Sequence, residues 1–407
     1  MCSQRVRYIA NTLSQMNSLP ITKAADSMPK WMVLLFACAC GLVVANLYYA
    51  QPLIGLIAPE IGLNESAASL IVTLTQLGYC TGLILLVPLG DLIENRKLVT
   101  LTICGAILAL FIAMLAPTAG WFLFSSLIIG IGSVAVQMLI PIAAHITPEE
   151  KCGRTIGNIM SGLLLGIMLA RPLSTLIASA FGWRSVFGAS ALLLIVLTLI
   201  LRFLLPVRKP QSDHHYFSLI GSLWTLLRDT PILQRRALYQ ATLFASFTLF
   251  WTITPILLVG PLFNLSQRGV ALFTLAGALG VIAAPIAGRL ADHGHTKIAT
   301  GCSIATVAIA FLIAYFGGSG SLAALVIAGV LLDLGVQSNV VLGQRTIYSL
   351  GSEIRSRLNA LYMAIFFAGG AIGSAIASLA YVRGGWDLVA GIGFIFPAIA
   401  LIFFFTE

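Results

Sequence analysis

The chain consists largely of long apolar runs separated by short polar or glycine-rich breaks. A helix of roughly 20 apolar residues can cross the hydrocarbon core of a bilayer, which is about 30 Å thick. The pattern predicts twelve such spans, which we number 1 to 12: 31–55, 67–90, 98–116, 121–144, 156–180, 185–205, 237–262, 269–288, 298–316, 321–343, 358–381 and 387–405. The predicted fold class is therefore an all-α integral membrane protein.

The longest polar interruption, 206–236, divides the spans into six and six. Residues 1–30 lack the residue order of a cleavable signal, so we predict a cytoplasmic N-terminal tail. The other predicted domains are an N-terminal six-helix bundle (31–205), a cytoplasmic central loop (206–236) and a C-terminal six-helix bundle (237–405). Within the loop, 216–228 carries apolar residues at helical spacing beside basic ones. This indicates either a helix in the inner membrane interface or a linker packed on the bundle.

Distinctive residues recur about 202 positions apart. Asp91 and Asp292 follow spans 2 and 8, and Arg154 and Arg357 precede the apolar parts of spans 5 and 11. A repeat of this length predicts two parallel six-span halves with pseudo-symmetry. Such an arrangement is typical of transporters that rock two bundles about a central site.

The composition agrees with a lipid environment. Of the 407 residues, 59% are hydrophobic and 9% are charged, against about 25% charged in soluble domains. The net charge of +9 could indicate nucleic acid, but with both termini inside, nineteen of the 23 basic residues fall on the cytoplasmic side and three outside. This bias follows the positive-inside rule, so we expect a lipid bilayer as partner and no nucleic acid. Seven cysteines without a CxxC pair predict no metal site.

Two loops identify a family. Residues 288–297, GRLADHGHTK, resemble the signature of the major facilitator superfamily, and 87–97 is a weaker first-half copy that keeps Asp91 and the basic end with Arg96. The resemblance implies twelve helices in two pseudo-symmetric six-helix bundles and a monomeric, multi-pass protein of the bacterial inner membrane. It also implies that the loop aspartates close a cytoplasmic gate, with Asp91 near span 11 and Asp292 near span 5.

Three further segments, 46–52, 162–172 and 332–337, are similar to those of bacterial drug:proton antiporters. That branch usually has an arginine in span 4 as part of its proton relay, where this sequence has Ser126. The family's proton mechanism therefore does not carry over as a whole.

Two charges lie well inside the predicted spans, away from the span ends: Arg171 in span 5 and Asp333 in span 10. Because a charge in the bilayer centre costs about 3 kcal/mol or more, it usually faces water, a partner or substrate. Asp333 is the first candidate for a coupling proton site; the alternative is an ion pair with Arg171 that holds the halves together. Arg171 either binds an anionic or carbonyl group of the substrate or neutralises Asp333.

Amides and tyrosines extend this candidate site. In the family fold, spans 1, 4, 7 and 10 line the cavity, and most intramembrane amides fall on these spans or on the neighbouring spans 2, 5 and 11. The predicted cavity residues are Asp333, Arg171, Gln337, Asn339, Gln137, Tyr48, Tyr49, Gln51, Gln76 and Tyr79, and the predicted gate residues are Asp91, Arg96, Arg154, Asp292 and Arg357.

The sequence thus predicts a secondary transporter rather than an enzyme. Proton-coupled efflux of a small polar or amphipathic molecule, drug-like or sugar-like, is the first hypothesis. A facilitator, an uptake carrier and a carrier with impaired activity are the alternatives. We expect no cofactor, because no G-x-x-x-x-G-K loop exists for ATP and the proton gradient is the expected energy source. A channel is disfavoured by the six-plus-six repeat with gating loops.

Overall fold

The computed structural model describes residues 28–207, 216–351 and 354–407; most of the predicted tail lies outside the described residues. Within these ranges every regular element is a helix. The predicted all-α fold class is confirmed, and the central loop contains the helix Tyr216–Asp229. We call this element the loop helix, the side of the molecule that carries it the inner side, and the opposite side the outer side.

The first half contains spans 1 to 6. Their helices are Lys30–Ala45 and Ile54–Glu60 (span 1), Leu70–Leu85 (span 2), Asn95–Leu115 (span 3), Ala119–Ser133 and Ala135–Ile146 (span 4), Glu149–Phe181 (span 5) and Trp183–Leu204 (span 6).

The second half repeats this order. Its helices are Pro231–Val259 (span 7), Gln267–Gly277 and Ala283–Asp292 (span 8), Thr296–Gly317 (span 9), Leu322–Tyr348 (span 10) and Arg355–Phe404 (spans 11 and 12). The last of these is two helices in one, because Gly384 and Gly385 have non-helical backbone angles between them.

Among the described residues, nine helices are individually long and apolar enough to cross a membrane. The difference from the twelve predicted spans has a structural cause. Spans 11 and 12 run together as one helix, and spans 1 and 8 are each divided into shorter pieces. The twelve crossings are therefore present, although hydropathy alone does not show where a span is broken.

The breaks occur inside spans 1 and 8. Span 1 leaves the α-helix after Ala45 and resumes through a short 3₁₀ turn, Gln51–Leu53. Span 8 passes through a 3₁₀ turn at Ala278–Ile282. Irregular backbone within the membrane is tolerated where it is covered by protein or lines a cavity, so both breaks indicate the interior of the molecule.

Glycines allow close helix contacts within each half. A Cβ atom at Gly166 of span 5 would lie 2.3 Å from the carbonyl oxygen of Gly41 in span 1. A Cβ atom at Gly373 of span 11 would lie 2.0 Å from the carbonyl oxygen of Ala245 in span 7. Small residues are what let membrane helices pack backbone to backbone. At these two points span 5 packs on span 1 and span 11 packs on span 7, each within its own half.

The surface that faces away from the centre is apolar. Large exposed side chains follow spans 3, 6, 9 and 12, and they include Leu108, Phe203, Ile309 and Ile402. An apolar surface along these four spans is what a protein presents to lipid. Most charged and amide side chains in the middle of the spans are buried, among them Arg171, Asp333 and Gln240.

Candidate functional site

Arg171 lies at the centre of the molecule, with 4% of its surface exposed. Its Nε atom donates a hydrogen bond to Oε1 of Gln51 at 3.0 Å. Its guanidinium carbon lies 5.3, 4.8 and 4.6 Å from the ring centroids of Tyr48, Phe247 and Trp251. Aromatic faces at these distances attract a cation and hold it in place. Nη2 is buried without a hydrogen-bond partner in the described parts of the chain.

The break in span 1 explains how Gln51 reaches Arg171. The turn after Ala45 brings Tyr48 and the 3₁₀ segment that begins at Gln51 against span 5. Gln51 also donates to the hydroxyl of Thr252 in span 7 at 3.4 Å. The arginine is therefore positioned by one residue that contacts both halves.

Asp333 lies in span 10 with 7% of its surface exposed. Its Oδ1 atom accepts a hydrogen bond from the indole Nε1 of Trp251 at 3.0 Å. Its Oδ2 atom has no hydrogen bond from any residue within the described ranges. Gly277 and Gly280 of span 8 press against this pair, since a Cβ atom at Gly280 would lie 2.3 Å from Cβ of Asp333. The break in span 8 is therefore next to the carboxylate.

Arg171 and Asp333 share Trp251 but form no ion pair of 4.0 Å or less. The guanidinium lies over the indole face, and the carboxylate accepts from the indole edge. The direct ion pair, which one of the two hypotheses for Asp333 required, is not observed. The two halves are joined at this point by Trp251 and Gln51 instead.

Sequence reasoning missed Trp251. The sequence did contain a signal, because the other tryptophans lie near span ends or in the loop helix, and Trp251 alone lies in the middle of a span. A tryptophan in an apolar run is usually packing, and its role is visible only through its partners.

Two further predicted residues, Gln137 and Tyr79, belong to a hydrogen-bonded chain on the inner side. Gln137 donates to the hydroxyl of Tyr79 at 3.0 Å, and Asn359 donates to Gln137 at 3.1 Å. Asn359 also accepts from Gln344 at 3.1 Å and from Tyr348 at 2.8 Å. This chain joins spans 2 and 4 of the first half to spans 10 and 11 of the second half.

Four predicted cavity residues remain: Asn339, Gln76, Gln337 and Tyr49. Asn339 donates to Gln240 at 2.7 Å, and Gln76 is buried against the backbone of span 11, with its Oε1 atom unpartnered among the described residues. Gln337 is half-buried, one helical turn after Asp333. Tyr49 does not join the centre, because its hydroxyl lies beside a serine of span 6.

The predicted gate residues lie at the inner side, apart from the centre. Asp292 pairs with Arg345 at the end of span 10, within the same half. Arg357 donates to the hydroxyl of Ser222 in the loop helix at 3.3 Å. In this structure the ion pair of Asp292 is thus with span 10, and its expected approach to span 5 stays a prediction.

The remaining predicted gate residues belong to the first half. Arg96 lies 3.8 Å from the carboxylate of Glu94, its neighbour in the same turn. Asp91 and Arg154 are exposed. The expected approach of Asp91 to span 11 stays a prediction for a state in which the inner side is closed.

On the outer side, the halves meet through hydroxyl groups. The backbone amide of Ser69 donates to the hydroxyl of Ser378 at 3.0 Å, and the amide of Ser378 donates to the hydroxyl of Ser69 at 3.4 Å. One turn deeper, the hydroxyls of Thr73 and Ser374 are 3.0 Å apart. We call these four residues the outer clasp; it joins span 2 to span 11.

Comparison with known proteins agrees with this architecture. The Major Facilitator Superfamily model matches residues 32–304 and 237–407. A protein of Escherichia coli O157:H7 called uncharacterized transporter YgaY is 38% identical over 382 residues, which cover 94% of this chain and 96% of that protein. A probable sugar efflux transporter of Mannheimia succiniciproducens is 25% identical over 327 residues, 77% of each chain.

A solved structure shows the same fold. The crystal structure of the nucleoside transporter NupG (D323A mutant) superposes with a TM-score of 0.70 at 15% sequence identity, covering 92% of this chain and 98% of that chain. Two helical bundles around a polar centre thus define a multi-pass membrane transporter. The chain belongs to the major facilitator superfamily.

Proposed function

We propose that the chain is a proton-coupled efflux carrier of the bacterial inner membrane that works by alternating access, with both termini cytoplasmic. The observation that carries this proposal is the Asp333 carboxylate, buried at the centre with Oδ2 unbonded by any described residue. An intramembrane carboxylate without a direct ion pair can accept and release a proton during a transport cycle. Arg171, on the opposite half, is the second charge of the same site.

The lining supports a small polar or amphipathic substrate, drug-like or sugar-like. Aromatic faces of spans 1 and 7 surround the centre. Amides of spans 1, 7 and 10 lie beside it or toward its inner side. Such mixed surfaces bind molecules with both apolar and hydrogen-bonding parts. The name of the Mannheimia relative, a probable sugar efflux transporter, also favours efflux of a polar molecule.

A facilitator or uptake carrier is the second candidate. It is favoured by Ser126, which replaces the span 4 arginine of related antiporters and donates its hydroxyl to the carbonyl of Phe122 within its own helix at 2.9 Å. This serine offers no charge for a proton relay. Proton coupling, if present, then depends on Asp333.

The test uses everted membrane vesicles in which respiration acidifies the lumen. Substrates are first found by comparing the growth of deletion and overexpressing strains on a panel of toxic compounds and metabolites. Adding a substrate should discharge the pH gradient, which an acridine dye reports as recovered fluorescence. In Asp333→Asn this recovery should be lost while the protein still inserts, because the amide cannot exchange a proton.

The matched control is Asp387→Asn, the same chemical change at an exposed acid, and it should behave as the unaltered protein. Full fluorescence recovery in Asp333→Asn would show that the coupling role is wrong. Saturable substrate exchange by the unaltered protein without any fluorescence recovery would establish the facilitator.

A further inference from the structure

The centre presents two charged atoms that have no hydrogen-bond partner within the described ranges. Nη2 of Arg171, a donor, is itself buried, and Oδ2 of Asp333, an acceptor, belongs to a residue with 7% of its surface exposed. A charge taken out of water costs several kcal/mol unless a partner compensates it. In a chain that otherwise satisfies most of its buried polar groups, two such atoms at one place indicate a missing ligand.

Both atoms are held ready for a ligand. Gln51 holds the Nε edge of Arg171, and three aromatic rings enclose its plane. Trp251 holds Oδ1 of Asp333, and the glycines of span 8 pack against the side chain. Each group therefore has one side fixed and one side free. The fixed orientation lowers the entropy that a ligand loses on binding.

The charges also restrict what can bind. The guanidinium repels a simple cation and the carboxylate repels a simple anion, since both lie in a region of low dielectric constant. A neutral molecule with one cationic and one anionic end satisfies both free atoms without adding net charge. An uncharged polyol satisfies their hydrogen bonds but adds no opposite charge, so Arg171 and Asp333 then have only each other as counter-ions, without direct contact.

We infer that the central site binds a zwitterion of the amino-acid type, whose carboxylate accepts from Nη2 of Arg171 and whose ammonium donates to Oδ2 of Asp333. The aromatic rings of Tyr48, Phe247 and Trp251 supply the apolar contact for the rest of the molecule. This inference rests on the proposed function, in that the centre is taken as the transport site, and it names the substrate class.

The assignment gives the proton a specific competitor. The ammonium of the ligand and a proton both require the ionised carboxylate of Asp333, so they bind in alternation. One zwitterion would then leave for each proton that enters. Arg171 keeps its charge throughout and binds the carboxylate in the loaded state only.

Binding to the purified carrier tests the substrate class without a proton gradient. The probes are the twenty common amino acids, with glucose and lactose as neutral polyols, and the readout is the rise in melting temperature that a bound ligand causes. The amino acid that stabilises most is then compared with its decarboxylated amine and its deaminated acid. Each analogue should bind at least about tenfold more weakly, because each leaves one charge-assisted hydrogen bond unmade.

Two variants assign the ends of the ligand. In Arg171→Gln the decarboxylated amine should bind as well as the amino acid, and Arg171→Lys should restore part of the preference. In Asp333→Asn the deaminated acid should bind as well as the amino acid. If neither variant folds, which size-exclusion chromatography reveals, the analogue series on the unaltered protein decides by itself.

Stabilisation by glucose or lactose but by no amino acid would overturn the inference, as would equal binding of the amino acid and its two analogues. These outcomes differ from a failure of the proposed function. An amino acid that binds selectively but never discharges the pH gradient supports the zwitterion site and contradicts proton coupling. A sugar that discharges the pH gradient supports proton coupling and contradicts the zwitterion site.

Discussion

At the scale of single residues, the centre is organised around one indole. Trp251 gives its face to the guanidinium of Arg171 and its N–H to the carboxylate of Asp333. An indole donates only one hydrogen bond, so the carboxylate keeps one oxygen free for other partners. A proton or ligand bound at Asp333 therefore acts on a side chain that also contacts the other half.

Charges could be predicted at this scale, but their partners could not. Arg171 and Asp333 stand out because apolar sequence surrounds them, and the structure places both at the centre. Phe247 and Trp251 have no such contrast in an apolar span. Tyr49 has a polar aromatic side chain and lies next to Tyr48, as expected of a cavity residue. It faces span 6 instead, because the break in span 1 turns consecutive side chains in different directions.

A pH-dependent prediction concerns an ion pair on the outer side. Arg184 donates a hydrogen bond to Glu60, which holds the pKa of this carboxylate below its usual range. A lowered pKa in the folded state stabilises the protein above the unfolded-state pKa, and this contribution is lost as the pH falls through the folded-state pKa. The melting temperature of Glu60→Gln should therefore lie below that of the unaltered protein at pH 7, and the difference should vanish in acid.

The expected difference is small, because both side chains are about half exposed, with 42% and 52% of their surfaces accessible. Glu65→Gln, an exposed glutamate on the same side, serves as control and should show no such pH-dependent difference. A constant difference for Glu60→Gln from pH 7 to pH 3 would contradict the role of the ion pair.

At the scale of helices, the position of each span follows from hydropathy, and the breaks do not. Residues 46–53 contain Asn46, Gln51 and Pro52, but polar residues within a span do not by themselves show that the α-helix ends there. Residues 278–282 are about as apolar as their surroundings, so no composition change marks the point where span 8 leaves the α-helix. The cause of each break is three-dimensional: one lies against Arg171 and the other against Asp333.

The contact between spans 1 and 5 gives a stability prediction. Gly166→Ala would place a methyl group against the carbonyl oxygen of Gly41, and backbone cannot move away as a side chain can. We expect a loss of about 1–3 kcal/mol in the free energy of unfolding, as for other overpacked sites. The measurement is thermal unfolding of the purified protein in detergent.

Gly157→Ala on the same helix is the matched control, since a Cβ atom there meets no other atom within 4 Å. It should keep or raise the melting temperature, because alanine favours the helix by about 1 kcal/mol over glycine. Equal melting temperatures for the two variants would show that spans 1 and 5 do not pack as described.

At the scale of the whole molecule, the repeat predicted two halves, and the structure shows how they meet. Span 2 contacts span 11 from the outer clasp to Cys80, whose thiol donates to the carbonyl of Ala364 at 3.3 Å. Span 5 contacts the outer piece of span 8. Such an arrangement could not be predicted from one sequence, because two halves of the same sequence can lie in several relative orientations during transport.

A disulfide tests the role of the outer clasp. In the double variant Ser69→Cys with Ser378→Cys, the reciprocal hydrogen bonds of the parent residues bring the two positions close enough for oxidation. Oxidation should lower the transport rate at least about tenfold, because alternating access requires spans 2 and 11 to separate on this side. A reductant should restore it.

Each single cysteine variant, treated in the same way, is the control and should transport under both conditions. Mass spectrometry confirms that the disulfide has formed. Normal flux through the fully cross-linked carrier would contradict the idea that this side opens.

The chemistry of the outer clasp has a consequence for the environment in which the carrier works. Hydroxyl and amide groups do not titrate between acid and alkaline media, and separating them moves no net charge through the membrane field. The ion pair on the same side, Arg184 with Glu60, lies within one half and does not need to break. Under the orientation that the basic residues predict, the face that meets the surroundings of the cell would open equally well at low and high ionic strength.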